Sequence, residues 1–228
     1  MDAQAVNTLR GEQVESLGRL MAGFSHEMKN HFGIIRESGG LIADLLAMHG
    51  HSLDEQVQAR MQKAVAMIEQ RIVVAAGTLH LLSGFAHRSD QPLSSFSPHT
   101  VIEEVGLFLE RFARLSQVTL VISQSEQPCS VYNDPSLLQH VVYRLFMHCL
   151  HLMNADDTIV IHTSVTEQGA EISFELECKS IPELSIPDIL QLPLSLLQAE
   201  YAVKQAEARV VLTIPSLQFP DVEATKNI

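Results

Sequence analysis

The sequence predicts an α+β protein: an antiparallel helical hairpin that forms a dimeric four-helix bundle, followed by a two-layer α/β sandwich. Three observations carry this. Before about residue 88, apolar residues recur in steps of three, four and seven, the spacing of a heptad-like seam. Beyond residue 98, helical stretches are interleaved with short runs of alternating polarity. Nine of the 11 glycines lie before residue 85, so the two halves differ in composition as well as in period.

The first helix is read from Leu17, Met21, Phe24, Met28, Ile35, Ile42 and Leu45, and the second from Val57, Met61, Ala64, Ile68, Ile72, Ala75, Leu79 and Leu82. Between them, Gly50 suits the position just past a helix end, and Ser52 with Glu55 has the spacing of a capping box. A lone hairpin cannot cover both seams. Each buried Leu, Ile or Met is worth roughly 1.5–3 kcal/mol, so exposed seams drive association into a homodimeric bundle.

The polar stretch Ser89 to Ser95 reads as a linker. Pro98 to Leu115 then reads as a helix, and Val118–Ser123 and Ser130–Tyr132 as strands. Asp134 and Pro135 open a helix to about Met153, as N-cap and first helical residue. Thr158–Val165 and Ala170–Cys178 form a hairpin around Gln168 and Gly169. Leu194 to Ala206 is predicted as a helix and Arg209 to Ile214 as a final strand, with a loose tail from Pro215. The domains follow as 1–90, 91–216 and a flexible 217–228.

Composition narrows the function. A net charge of −12 argues against nucleic acid or an anionic membrane as partner, since both attract a cationic surface. No apolar run reaches the roughly 18 residues that span a bilayer, and no basic-plus-apolar leader opens the chain. Cys129, Cys149 and Cys178 are scattered and odd in number, which reads as free thiols in a reducing cytoplasm. His148, Cys149 and His151 do not converge on a metal at their helical spacing, so no metal site is expected.

The chemistry lies in Leu20-Met21-Ala22-Gly23-Phe24-Ser25-His26-Glu27-Met28-Lys29-Asn30. Phe24 and Met28 belong to the seam, which puts His26 on the outer face with Asn30 one turn further on. This stretch resembles the H-box of bacterial sensor histidine kinases, with His31 where a proline is usual. That exchange should leave the helix less bent. Asn133 to Cys149 resembles the N-box helix of the same family in spacing and apolar pattern. The resemblance implies a phosphoryl-accepting His26. An exposed neutral imidazole can attack phosphorus in line, and Glu27 can hydrogen-bond the other ring nitrogen and fix the tautomer. Asn30 can orient a water against a partner's acyl phosphate, the role the family gives that position. Lys29 reads as a solvated charge and His31 as a packed histidine.

The second half departs from the kinase pattern. His148 stands at the magnesium-binding asparagine, with Arg144 one turn earlier where another asparagine is common. Glu177-Cys178-Lys179-Ser180-Ile181-Pro182 replaces the glycine-containing Asp-x-Gly-x-Gly segment, and Pro182 to Pro193 offers no glycine-rich lid. Triphosphate needs backbone amides that glycine lets approach closely. The half therefore resembles an ATPase domain without its nucleotide. The chain also starts almost at the H-box helix, and no sensor is expected ahead of it. The expectation is a phosphorelay protein like the kinase-like histidine phosphotransferases. His26 would exchange phosphate with receiver-domain aspartates of response regulators, with no cofactor of its own and magnesium supplied by the receiver. An ATP-dependent autokinase with divergent contacts, or a non-catalytic regulator that binds a receiver or a kinase, are the alternatives.

Overall fold

The structure, a computed structural model, describes residues 3–49, 54–87, 93–125, 127 and 129–217. The chain divides into two compact units, residues 19–83 and residues 1–18 with 84–228. No helix among the described residues is long and apolar enough to cross a membrane.

Two helices make the hairpin, α1 (Ala3–His49) and α2 (Glu55–His87). With no proline inside it, α1 continues unbroken through His31. Asp54 caps α2: its carboxylate accepts from the Val57 amide at 2.7 Å and its carbonyl from the Gln58 amide at 3.0 Å. The capping box expected from Ser52 and Glu55 is thus displaced, because Glu55 is already the first helical residue; Gly50 and Ser52 lie outside the described residues.

The seams differ from expectation in phase. In α2, Val57, Ala64 and Ala75 are buried, but Ile72 is 52% and Leu79 49% exposed. Arg71 and Thr78 take the half-buried places instead. A helix turns 3.6 residues at a time, so a seven-residue repeat drifts across its face, and one step of three rather than four moves the buried stripe by a residue. Val65, Ile72 and Leu79, seven apart, are left as a second apolar row. In α1, Leu17 is exposed, while Met28, His31, Ser38 and Leu45 are buried.

The sandwich opens with β1 (Ser94–Phe96), which overlaps the end of the stretch expected to be a linker. Three residues are too few to show a period, yet Phe96 is buried and β1 pairs antiparallel with β3 (Val131–Asn133). The remaining elements are α3 (Pro98–Leu115), β2 (Thr119–Gln124), α4 (Pro135–Leu152), β4 (Thr158–Thr166), β5 (Gly169–Glu177), α5 (Gln191–Leu196), β6 (Glu200–Lys204) and β7 (Arg209–Pro215). The five-stranded sheet runs β2-β4-β5-β7-β6. Only β2 and β4 are parallel. Ile102, Val105 and Leu109 of α3, Leu138, Val142 and Phe146 of α4, and Ile161, Phe174 and Leu212 of the sheet form the buried core. Gly106 lets α3 sit close on β2, since a Cβ there would strike the end of Ile122.

The helix expected from Leu194 to Ala206 is a correction. It ends at Leu196, where Gln198 turns left-handed (φ 53°), and the chain continues as β6. Ala, Glu, Gln and Lys favour helix locally. The other edge of β7 would otherwise present unpaired amides and carbonyls, and pairing Tyr201 with Leu212 and Val203 with Val210 satisfies them.

Candidate functional site

His26 and Asn30 are exposed on α1, Glu27 is half-buried beside them, and Met28 is buried. This is the outer-face placement that the seam required. The Asn30 side-chain amide lies 3.2 Å from His26 Nδ1. Asparagine costs about 0.5 kcal/mol more than alanine in mid-helix, and here it meets the histidine one turn back. The contact governs the tautomer. An amide N–H donating to Nδ1 leaves the proton on Nε2. The amide oxygen accepting from Nδ1–H leaves the Nε2 lone pair bare toward solvent. The atom at Nδ1 is the amide nitrogen, which can only donate, so the ring proton sits on Nε2 as the side chains stand. Lys29 is exposed. His31 is packed, with its Nδ1 buried and unpartnered.

In the other unit, α4 starts where Asp134 accepts from the Leu137 amide at 2.9 Å. Burial pushes the Asp134 carboxyl up, opposed by backbone N–H bonds. The residue before it does more than its place in the motif implies. Asn133 is fully buried and donates to the carbonyls of Leu197 (3.0 Å) and Pro215 (2.9 Å). Its Oδ1 accepts from the Asp134 amide at 2.8 Å. One side chain thus ties the start of α4 to β7 and to the end of α5. Nothing in its spacing reveals this, because both carbonyls lie more than 60 residues away.

His140, Arg144 and His148 follow at intervals of four and form one stripe along α4. His140 is 4% exposed and its Nδ1 is 3.3 Å from Ser16 Oγ. The Ser16 hydroxyl donates to the Glu12 carbonyl at 2.8 Å, so His140 Nδ1–H is the donor between the two side chains. Burial first, and then nearby Arg144, lowers the His140 pKa to about 4, so the ring is neutral. Arg144 pairs with Glu15 at 3.3 Å. Burial first, then nearby His151, lowers the His148 pKa, and a hydrogen bond to the Ser185 backbone works against the fall. Beyond β5, Gln205 donates to the Pro182 carbonyl at 2.6 Å and accepts from the Leu184 amide at 2.9 Å, and Leu184 is buried. This holds the glycine-free segment in place. Sequence reasoning singled out Arg144 and His148 but not Ser16, Glu15 or His140.

Cys149 is buried and its thiol is pushed up to about 12 by burial, so it is inert. No group of three or more potential metal ligands occurs among the described residues. A hollow of about 620 Å³ lies at the β4–β5 turn, lined by Cys129, Glu167, Gln168 and Ser216, among others.

No family model and no curated protein matches the chain. Its structural neighbours are histidine kinases. The nucleotide-free catalytic domain of histidine kinase ThkA is 15% identical, with a TM-score of 0.47, over 55% of this chain and 97% of that one. Histidine kinase AdeS of Acinetobacter baumannii is 16% identical, with a TM-score of 0.45, over 85% of this chain and 98% of that one. ThkA in complex with the response regulator TrrA is 17% identical, with a TM-score of 0.44, over 91% of this chain and 64% of that one. At these identities and TM-scores the likenesses carry no inference about the chemistry of this chain.

Proposed function

We propose that this chain is a phosphorelay protein whose His26 takes a phosphoryl group from, and returns it to, receiver-domain aspartates without using ATP. The observation that carries this reading is the exposed His26 ring with the Asn30 amide at Nδ1, inside the Ser-His-Glu-x-Lys-Asn motif. In the forward step, Nε2 attacks the phosphorus of an aspartyl phosphate. The N–P bond forms, the P–O bond breaks, and its electron pair leaves on the receiver carboxylate. The Nδ1 proton stays on the ring, held by the Glu27 carboxylate, or by the Asn30 amide oxygen once that amide turns over from the Nδ2 contact it makes in the fold. Either partner stabilises the imidazolium that develops. Magnesium held by the receiver would neutralise the acyl phosphate from that side.

The absence of nucleotide chemistry is supported by the donor set on α4. Magnesium prefers oxygen ligands. Arg144 is a fixed cation that pairs with Glu15, and burial holds the His148 ring toward its neutral form. These residues do not fit a magnesium triphosphate. A homodimer is supported by the apolar row Val65, Ile72 and Leu79, each 44–52% exposed in the single chain. Half-burying each of these at a second copy contributes about 1 kcal/mol per side chain.

The test is incubation with a phosphorylated receiver. Wild-type protein becomes labelled and His26→Ala does not. Equal labelling of the two, or none of either, removes the proposal.

A further inference from the structure

The opening segment of α1 belongs to the sandwich unit: residues 1–18 group with residues 84–228. Two fastenings join it to α4. Ser16 Oγ meets His140 Nδ1 at 3.3 Å, and both residues are buried. Glu15 meets Arg144 at 3.3 Å, with the arginine side chain 16% exposed and the carboxylate 51% exposed. Leu9, two turns before Ser16 on the same face of α1, is buried as well.

The chemistry of this contact differs from that of a core. Ser16 bonds back to the Glu12 carbonyl, an arrangement that slightly weakens a helix. An apolar residue facing an apolar partner would hold the segment more tightly. His140 Nε2 and Arg144 Nε are buried without partners, so α4 bears polar groups that the contact covers but does not satisfy. A partly exposed ion pair contributes little and is screened by salt. The joint is specific in register, because two different polar pairs must meet, adjacent on α1 and one turn apart on α4, and weak enough to release.

We infer that residues 4–18 form a strap latched to α4, and that Ser16–His140 and Glu15–Arg144 are positioning contacts for phosphoryl transfer at His26. This rests on the relay reading. The helix is unbroken from Ala3 to His49, and His26 stands ten residues beyond Ser16 in it. The strap and the proposed nucleophile thus belong to one continuous helix. The residues at the degenerate nucleotide positions gain a second use: Arg144 is half of a joint.

The experiment compares wild type, Glu15→Arg, Arg144→Glu, the double reversal, and the helix-compatible Ser16→Ala. Two readouts are taken on the full chain. These are amide exchange over residues 4–18 and the initial rate of phosphoryl transfer from a phosphorylated receiver across receiver concentrations. Glu15→Arg and Arg144→Glu each raise exchange in the strap, and all three single changes slow transfer about 3- to 10-fold, a coupling of the size seen between linked sites. The double reversal restores both. Unchanged exchange in the two charge variants overturns the latch. Raised exchange with transfer within twofold of wild type overturns the positioning role. A wild-type chain that takes no phosphoryl group removes the relay reading and the positioning role with it, while exchange still reports whether the strap is latched.

Discussion

Replacing Asn133 by alanine tests how the start of α4 is held. The side chain makes three hydrogen bonds of 2.8–3.0 Å to backbone groups of Leu197, Pro215 and Asp134, and it is fully buried. Each such bond is worth about 1 kcal/mol net, and a group left buried without a partner costs more. Asn133→Ala therefore lowers the stability of the sandwich by about 3 kcal/mol. That corresponds to a fall of about 10 °C in Tm for a chain of this size. Asn133→Asp does not rescue it, since a carboxylate can accept from Asp134 but faces two carbonyls with no proton to give. The protein lacks tryptophan, and its three tyrosines, Tyr132, Tyr143 and Tyr201, all lie in the sandwich unit. Tyrosine fluorescence during urea unfolding thus reports this unit without the hairpin. A loss below about 1 kcal/mol, or an Asn133→Asp variant as stable as wild type, would refute the reasoning.

Three other outcomes follow. His140 is neutral in the fold, with its pKa lowered from 6.5 to about 4, so its contribution is complete above pH 6.5 and is lost as pH falls toward 4. The full effect is about 3 kcal/mol, and urea titrations of wild type and His140→Gln should show a shallower acid limb in the variant. Ile72→Glu with Leu79→Glu puts charge into the exposed apolar row of α2 and should halve the mass seen in sedimentation if this row is the proposed dimer contact; equal mass for variant and wild type would remove that proposal. Gly169→Ala drives a Cβ into the Ile214 carbonyl and should cost about 1–3 kcal/mol by thermal melting, whereas a neutral result would show that the β4–β5 turn yields.

Much of the sandwich was legible because its boundaries are local chemistry. Asp134 followed by Pro135 is a cap and a first-turn residue, and the helix begins there. Pro98 and Leu115 bound α3 as read, and the turn at Gln168 and Gly169 joins the expected strands. Most of the misses share one cause: each depends on a partner outside the element itself. β1 exists because β3 pairs with it, and β6 because β7 would otherwise have a bare edge. The seam of α2 slips at Ile72 because packing, not the count of sevens, decides which face turns inward. At the candidate site, the outer-face placement of His26 and Asn30 was readable from the seam. The amide contact to Nδ1 follows from the same spacing. Ser16 and Glu15 were invisible, since their partners lie more than 120 residues away.

Phosphoryl transfer from a labelled receiver, measured with and without added ATP, tests the relay most directly. The account predicts label on the wild-type chain at a rate that ATP leaves unchanged, no label on His26→Ala, and no label from ATP alone. Label that arrives from ATP without a receiver, or that persists on His26→Ala, would contradict it.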